Sequence, residues 1–476
     1  MMQQDGLVVV VKHDCPTCVM VAPVLAQLAE GTALEVYSQD DPEFPNQPGV
    51  FDDRELDASY RLDVEIVPTL VRFSGGQEVE RTYGWDRAVW EKLSGVSGLG
   101  SDLPEARPGC GALNQEPARL TELKIRHGDA GITARRVPIG AQEDPIEACF
   151  ERDWSDGLPV VPPTDERVFA MLQGSSRQPD EVLGEMPPNY GPCTVEKVAI
   201  NAVMAGCKPE YMPVVLAAVE AALDRDFALH GVLASTRFTG PVIIVNGPIA
   251  KRIDMNGGIN ALGQGNRANA TIGRALQLAI RNIGGGKPGG VDRATLGSPG
   301  KYTYCFCEDE AGSAWTPLTV DRGFDAGTNA VTVFAGYGLQ GVVDERARTP
   351  EDIASVFASS LRAVDNINKF PAPDAILVVC PEHERTLATG GWDKARLHQE
   401  LIERLTVPAD SVMPGQNGIQ EGAPASFAGK MICKFPPGAL MIVRAGGSAG
   451  KFSGVIAGFT VSSPDYSRPV TKEIRT

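Results

Sequence analysis

Leu7-Val8-Val9-Val10-Val11 runs unbroken into Lys12-His13-Asp14-Cys15-Pro16-Thr17-Cys18, and a helical stretch from Val19 to Glu30 follows. Five consecutive apolar residues read as a buried strand. Strand, then C-x-x-C, then helix is a place where a low-pKa thiol is made. Cys15 falls at the helix N-terminus, where unpaired amides and the helix dipole favour thiolate over thiol. Cys18 lies one turn on, within reach to resolve a mixed disulfide. A lone C-x-x-C is also half of a zinc site, but no second Cys pair at zinc spacing follows.

Outward from this core, the pattern predicts a strand over 34–38, a short helix near 53–60, a strand over 69–74, a Gly75-Gly76 turn, a strand over 77–84 and a helix over 86–94. Val67-Pro68-Thr69 stands just before the strand at 69. A cis proline there would set the Val67 backbone beside the sulfurs, ready to pair with an extended thiol substrate. Val67 and Pro68 are therefore candidate substrate-binding residues. The C-P-T-C, the V-P-T and the later G-G turn give residues 6–95 a pattern that resembles the thioredoxin and glutaredoxin family. The resemblance implies that fold and a disulfide exchange in which Cys15 attacks and Cys18 resolves. The segment lacks the extra first strand and helix of full thioredoxins, and Asp14 stands where they usually carry Trp. A carboxylate there opposes thiolate formation, whereas a protonated His13 favours it.

At 476 residues the chain is long enough for more than one domain. Residues 1–96 form the first. Residues 97–140, rich in Gly, Pro, Glu and Arg without a sustained period, read as a linker that partly wraps the next domain. From 141 to 476 four apolar runs, Pro241–Asn246, Val331–Ala335, Ala375–Val379 and Leu440–Val443, alternate with helical patterns near 165–173, 195–206, 211–223, 271–283, 351–363 and 394–405. Strands apolar throughout and separated by helices predict an α/β domain whose mostly buried sheet is covered by helices. Its two halves carry similar helix pairs and strands, as a duplication would leave, but no clear repeat stands in the residues. Trp154-Ser155-Asp156-Gly157-Leu158-Pro159 and Thr194-Val195-Glu196-Lys197-Val198-Ala199 resemble an uncharacterised bacterial domain family, which implies no activity.

Several thiols of this region are candidates for a reactive role. Cys193 precedes Thr194, a good helix N-cap, with Glu196 in the first turn, so it ranks first. Cys380-Pro381-Glu382-His383 ends the strand at 379, at the edge of an α/β sheet where ligands gather. Cys380 there would pair as a thiolate with His383, the candidate acid–base. Cys305 and Cys307 alternate on one strand face, and Cys207 closes the helix that Cys193 opens. Gly263-Gln264-Gly265-Asn266-Arg267-Ala268 has the letters of a dinucleotide loop, but no strand immediately before it and no acid at the right distance after it. What survives is an anion site of Arg267 and Arg274 near a helix start capped by Asn269 or Thr271. Gly446-Gly447-Ser448-Ala449-Gly450-Lys451 lacks the Gly and Ser/Thr that a P-loop needs.

Lys and Arg number 44 against 60 Asp and Glu, a formal charge of −16, with no basic cluster to offset it. Such a field repels duplex nucleic acid and anionic membranes, so neither is expected as a partner. Apolar runs are far shorter than the roughly 20 residues that cross a bilayer. Ten cysteines scattered over a large chain fit cytoplasmic thiols better than a disulfide framework. Three histidine ligands gather nowhere, so neither a metal nor another cofactor is implied. Together these features predict a thiol–disulfide oxidoreductase. Its C-P-T-C domain would supply reducing equivalents to a cysteine site in the second domain, which reduces or reductively cleaves a small molecule. An external thiol or disulfide-reductase system would recharge it. A thiol-based lyase acting on a soft element–carbon bond, a protein disulfide reductase whose large domain only binds the client, and a non-enzymatic redox sensor or thiol holdase are the alternatives.

Overall fold

The computed structural model describes residues 5–415, 421–459 and 467–475. The chain divides into two compact units, Met1–Ile132 and Thr133–Thr476. Unit 1 contains β1 (Gly6–Val11), α1 (Pro16–Gly31), β2 (Leu34–Ser38), β3 (Val50–Asp52), α2 (Asp57–Arg61), β4 (Ile66–Val67), β5 (Thr69–Ser74), β6 (Gln77–Tyr83), β7 (Trp85–Asp86), α3 (Arg87–Ser94), β8 (Ala106–Arg107), β9 (Cys110–Gly111) and α4 (Pro117–His127). Its main sheet has the order β3-β2-β1-β5-β6, with β1 parallel to β2 and antiparallel to β5. Strand β1 is central, which is why all of Val8–Val11 is buried rather than alternate residues. Helix α1 buries Val21, Val24, Leu25 and Leu28, the three- and four-residue spacing of one helix face.

Residues 97–132 belong to unit 1, which corrects the reading of 97–140 as a linker wrapping the next domain. Leu99, Ala112 and Leu123 are buried, and Leu99 and Ala112 lie in the core that β1 and α1 build. Trp85 Nε1 donates to the Pro104 carbonyl at 2.6 Å, and Asn114 Nδ2 donates to the Val64 carbonyl at 2.7 Å. Glycine and proline did signal irregular backbone over 97–116, which is pinned by distant partners and so leaves no local period to read. The reading missed helix α4 over 117–127, which buries only Leu123 and therefore carries a weak apolar face.

Unit 2 contains α5 (Pro145–Glu151), α6 (Asp165–Leu172), β10 (Val182–Met186), β11 (Gly191–Thr194), α7 (Val195–Ala205), α8 (Met212–Leu223), α9 (Leu229–Ala234), β12 (Gly240–Asn246), α10 (Pro248–Arg252), α11 (Arg267–Asn282), β13 (Cys305–Cys307), α12 (Leu318–Asp321), β14 (Ala330–Val343), α13 (Pro350–Arg362), β15 (Ala375–Val379), α14 (Pro381–Thr389), α15 (Lys394–Arg404), β16 (Thr406–Pro408), β17 (Met431–Cys433), β18 (Leu440–Arg444), β19 (Phe452–Gly458) and β20 (Val470–Glu473). A mixed sheet of order β13-β12-β14-β19-β15-β18, with β20 also on β14, forms its centre. The four apolar runs read from the sequence are β12, the first part of β14, β15 and β18. Both faces of this sheet are covered. On β15, Ala375, Leu377 and Val379 join the core around α13 and α15, while Ile376 and Val378 join the one that includes Phe306 and Phe334. The chain is thus an α/β protein. No helix among the described residues is long and apolar enough to cross a membrane.

Candidate functional site

In unit 1, β1 leads through a short turn into α1, and Cys15 is the residue that caps this helix. Its sulfur accepts the Cys18 amide at 3.4 Å and lies 3.6 Å from the Val67 carbonyl. Pro16 in the first helical position has no N–H of its own to satisfy there. The Cys18 thiol, by hydrogen bonding to the Cys15 sulfur, pulls its pKa down; burial opposes this. Hydrogen bonds from the Cys110 thiol and the Cys18 and Thr17 amides add to the lowering, and the result is a pKa of about 5. Cys18 goes the other way: burial first, then the neighbouring Cys15, hold it far above the ordinary thiol range. Both residues are buried in this state; one sulfur is held towards the thiolate and its neighbour keeps its proton. The Val67-Pro68 peptide is cis, and the Val67 carbonyl stands beside the Cys15 sulfur.

Sequence reasoning missed a third thiol. Strand β9 runs antiparallel to β4, with Val67 opposite Cys110 and Ile66 opposite Gly111, and the Cys110 sulfur lies 2.9 Å from that of Cys15. The signal was Gly109-Cys110-Gly111, a cysteine between glycines. A Cβ on Gly109 would come within 2.5 Å of both Ile66 Cγ2 and the Val67 carbonyl, so only glycine lets this strand lie against β4.

In unit 2 the structure joins Cys380 and His383. Cys380 caps α14, and Pro381 again takes the first helical position. The imidazole Nδ1 of His383 lies 2.7 Å from Ser453 Oγ, and its Nε2 is 3.1 Å from the Asp344 carbonyl. A carbonyl only accepts, so Nε2 carries a proton. The Cys380 amide donates to the same Ser453 hydroxyl at 3.0 Å. Burial works to raise the Cys380 pKa, but hydrogen bonds to His383 and Ser453 outweigh it, and the thiol ends below its ordinary value. Burial likewise opposes charge on His383, yet the Cys380 sulfur and the Asp344 carbonyl leave its pKa above the ordinary imidazole value. Both residues are buried. The two shifts run in the directions that a thiol and an imidazole stabilising each other's charged forms would give. Ser453 and Asp344 were not foreseen, because they reach the pair from β19 and from just past the end of β14.

Three expectations are corrected. Cys193 is not acidified: it lies in β11, fully buried opposite Gly184, and burial pushes its thiol up to about 12. Thr194 does cap α7, accepting the Lys197 amide at 3.3 Å, but the thiol one residue earlier gains nothing from that cap. The two arginines do not form a joint anion site, because the charge of Arg274 is already paired. Arg274 is held by both Asp156 carboxylate oxygens, at 2.9 and 2.8 Å, and Arg267 Nε donates to the Gly206 carbonyl. The helix there begins at Arg267 and is capped by Asn266, not by Asn269 or Thr271. Cys207, Cys305 and Cys307 are buried with pKa values raised by desolvation. Among the described residues no group of three His, Cys, Asp or Glu side chains is placed to hold a metal ion. Compared with known proteins, the chain matches no family model and no curated sequence.

Proposed function

We propose that the chain is a thiol–disulfide oxidoreductase in which Cys15 attacks a disulfide sulfur and Cys18 resolves the mixed disulfide. The observation that carries this reading is the Cys15 sulfur in the capping position of α1, acidified to about 5 beside a buried, protonated Cys18. The β2-β1-β5-β6 order, parallel then antiparallel, and the cis Val67-Pro68 peptide support the resemblance of this unit to thioredoxins and glutaredoxins. Disulfide exchange needs a thiolate near ambient pH and a second thiol held close, and both are present. In unit 2 the thiol best suited to receive reducing equivalents is Cys380. With His383 as proton donor, it would serve the reduction or reductive cleavage of a small molecule. An external thiol or disulfide-reductase system would restore the Cys15–Cys18 dithiol.

The test is iodoacetamide labelling of the reduced full chain across pH, with each cysteine followed by peptide mass spectrometry. Cys15 should label with a midpoint near pH 5 and ahead of Cys18. A midpoint above pH 8, or Cys18 labelling first, overturns the assignment. For the second step, a chain carrying both Cys18→Ser and Cys110→Ser, in which neither neighbouring thiol can displace it, should retain a mixed disulfide between Cys15 and Cys380 after mild oxidation in the presence of substrate. Its absence with every cysteine of unit 2 removes the relay and leaves the exchange chemistry of unit 1.

A further inference from the structure

The edge of β4 at Val67 is where an extended disulfide substrate would pair with the backbone beside Cys15. In this chain that edge is occupied. Residues 110–112 lie along it, at the end of a segment fixed at every step from 106: β8 pairs with β7, the Pro108 carbonyl accepts Thr17 Oγ1 at 2.7 Å, and the Gly111 carbonyl accepts Lys12 Nζ at 3.2 Å. The Ala112 amide donates to the Glu65 carbonyl at 3.0 Å. On the other side Gly84, at φ +67°, permits the approach of this segment; a Cβ there would stand 2.8 Å from the Gly109 amide nitrogen. The pairing delivers a cysteine, Cys110, to the attacking sulfur. Their 2.9 Å separation is less than 1 Å longer than the roughly 2.05 Å disulfide bond.

We propose that Cys110 is a third redox thiol of unit 1, an internal substrate whose sulfur bonds to that of Cys15, and that its strand reserves the site for small disulfides over extended peptide ones. The inference rests on Cys15 being the attacking thiol. The steps balance for a small disulfide RSSR. The Cys15 thiolate attacks one sulfur of RSSR, forming Cys15–S–S–R and releasing RS⁻, which takes a proton from water. Cys110 then attacks the Cys15 sulfur, a second RS⁻ leaves with the Cys110 proton, and the Cys15–Cys110 disulfide is formed. Cys18 finally attacks Cys15, its proton passes to the departing Cys110 thiolate, and the Cys15–Cys18 disulfide remains. The net change is two RSH formed and one dithiol oxidised. Cys110 takes the middle step because its sulfur touches Cys15 and is half-exposed, whereas Cys18 is wholly buried; both thiols are raised, Cys18 much the further. A tethered strand at an effective concentration of mM order outcompetes a peptide at μM order by roughly 10³-fold. This is the basis of the preference for small disulfides.

The full-length Cys18→Ser protein, reduced and given one equivalent of bis(2-hydroxyethyl) disulfide, is blocked with maleimide and digested with trypsin. A disulfide joining peptide 13–54, which carries Cys15, to peptide 93–119, which carries Cys110, is the expected product. Cys15 bearing the hydroxyethylthio group while Cys110 carries maleimide overturns the proposal and leaves Cys15 as the attacking thiol. Maleimide on Cys15 sinks both. Where Cys18→Ser fails to fold, the lifetime of the hydroxyethylthio group on Cys15 is measured in the chain with Cys110→Ser as its only change. A lifetime longer by about tenfold or more is expected from the loss of the proximal attacker, and an unchanged lifetime overturns the proposal. Gly109→Val, which drives the strand off β4, should raise insulin reduction relative to bis(2-hydroxyethyl) disulfide reduction. An unchanged ratio in a folded variant removes the claim of substrate choice.

Discussion

Two cysteines of this chain sit in the same local frame, one in each unit. Cys15-Pro16 and Cys380-Pro381 both follow a buried strand, both occupy the capping position of a helix, and both have lowered pKa values. The sources of the lowering differ. Cys15 is acidified mainly by neighbouring thiols and amides, none of which carries a positive charge. The Cys380 side chain makes no capping bond and owes its shift to the His383 imidazole. Cys193, a single residue outside its own helix cap, is shifted upward. Helix amides reach a thiol within the first turn, and once the residue belongs to a buried strand desolvation prevails. Position relative to a cap thus matters to a single residue, and the two acidified sites should answer pH differently.

The sharpest way to break this comparison is the native-to-unfolded ratio of Cys15 reactivity. At pH 6 a pKa near 5 in place of the ordinary 9.0 raises the thiolate fraction by roughly 10³, but lower basicity reduces its nucleophilicity by something near 10². Native Cys15 should therefore label roughly tenfold faster than the same residue in urea at pH 6. At pH 9 the unfolded thiol is about half ionised and more nucleophilic, so the order should invert. A ratio that stays on one side of unity from pH 6 to pH 9 would refute the acidified Cys15. The linkage has the same sign. Because the folded pKa is depressed, ionisation of Cys15 favours the reduced native state above pH 9, and that contribution is lost as pH falls through about 5. The oxidised protein lacks this titration, so reduced-minus-oxidised stability should climb between those limits.

His383→Gln sharpens the other half. Glutamine keeps a polar group near Ser453 but removes the imidazole, leaving burial as the dominant influence on Cys380. Its pKa should rise, and the midpoint of Cys380 labelling against pH should move upward with it while that of Cys15 is untouched. If the Cys380 midpoint holds, the imidazole is not its source of acidity. A shift in the Cys15 midpoint as large as that of Cys380 would mean that the substitution has disturbed the whole chain.

Much of the fold was legible because its strands and helices are locally determined. The Val8–Val11 run, the helix after Cys15 and the four apolar strands of unit 2 all rest on residues adjacent in sequence. Cys15, Cys18, Cys380 and His383 were legible for the same reason, since each pair lies within one helical turn. Cys110 was not. Its place beside Cys15 comes from pairing with Val67, 43 positions away, and from a glycine whose value is steric rather than conformational. The misreading of Arg274 has the same origin: Asp156, its partner, is 118 positions distant. Local pattern shows what a residue can do, and long-range contacts decide whether it is free to do it.

The smallest effect expected is that of Cys193→Ala, and it tests the capping rule most directly. From sequence alone Cys193 ranked ahead of Cys380 as the reactive thiol of unit 2. In the structure it is fully buried between the β10 pairing and α7, with Lys197 too weak an influence to offset burial. Alanine removes one buried sulfur and leaves a small cavity, at a cost of about 1 kcal/mol of stability, near the low end for core truncation. The backbone pairing with Gly184 is unaffected by the side chain, and Thr194 still caps α7. Disulfide exchange by the full chain should therefore change by less than about twofold, within what surface-distant core substitutions leave intact. A loss of tenfold or more in exchange, with stability down by no more than the cavity cost, would mean that β11 opens during turnover. The thiol outside the cap would then outrank the thiol that occupies one.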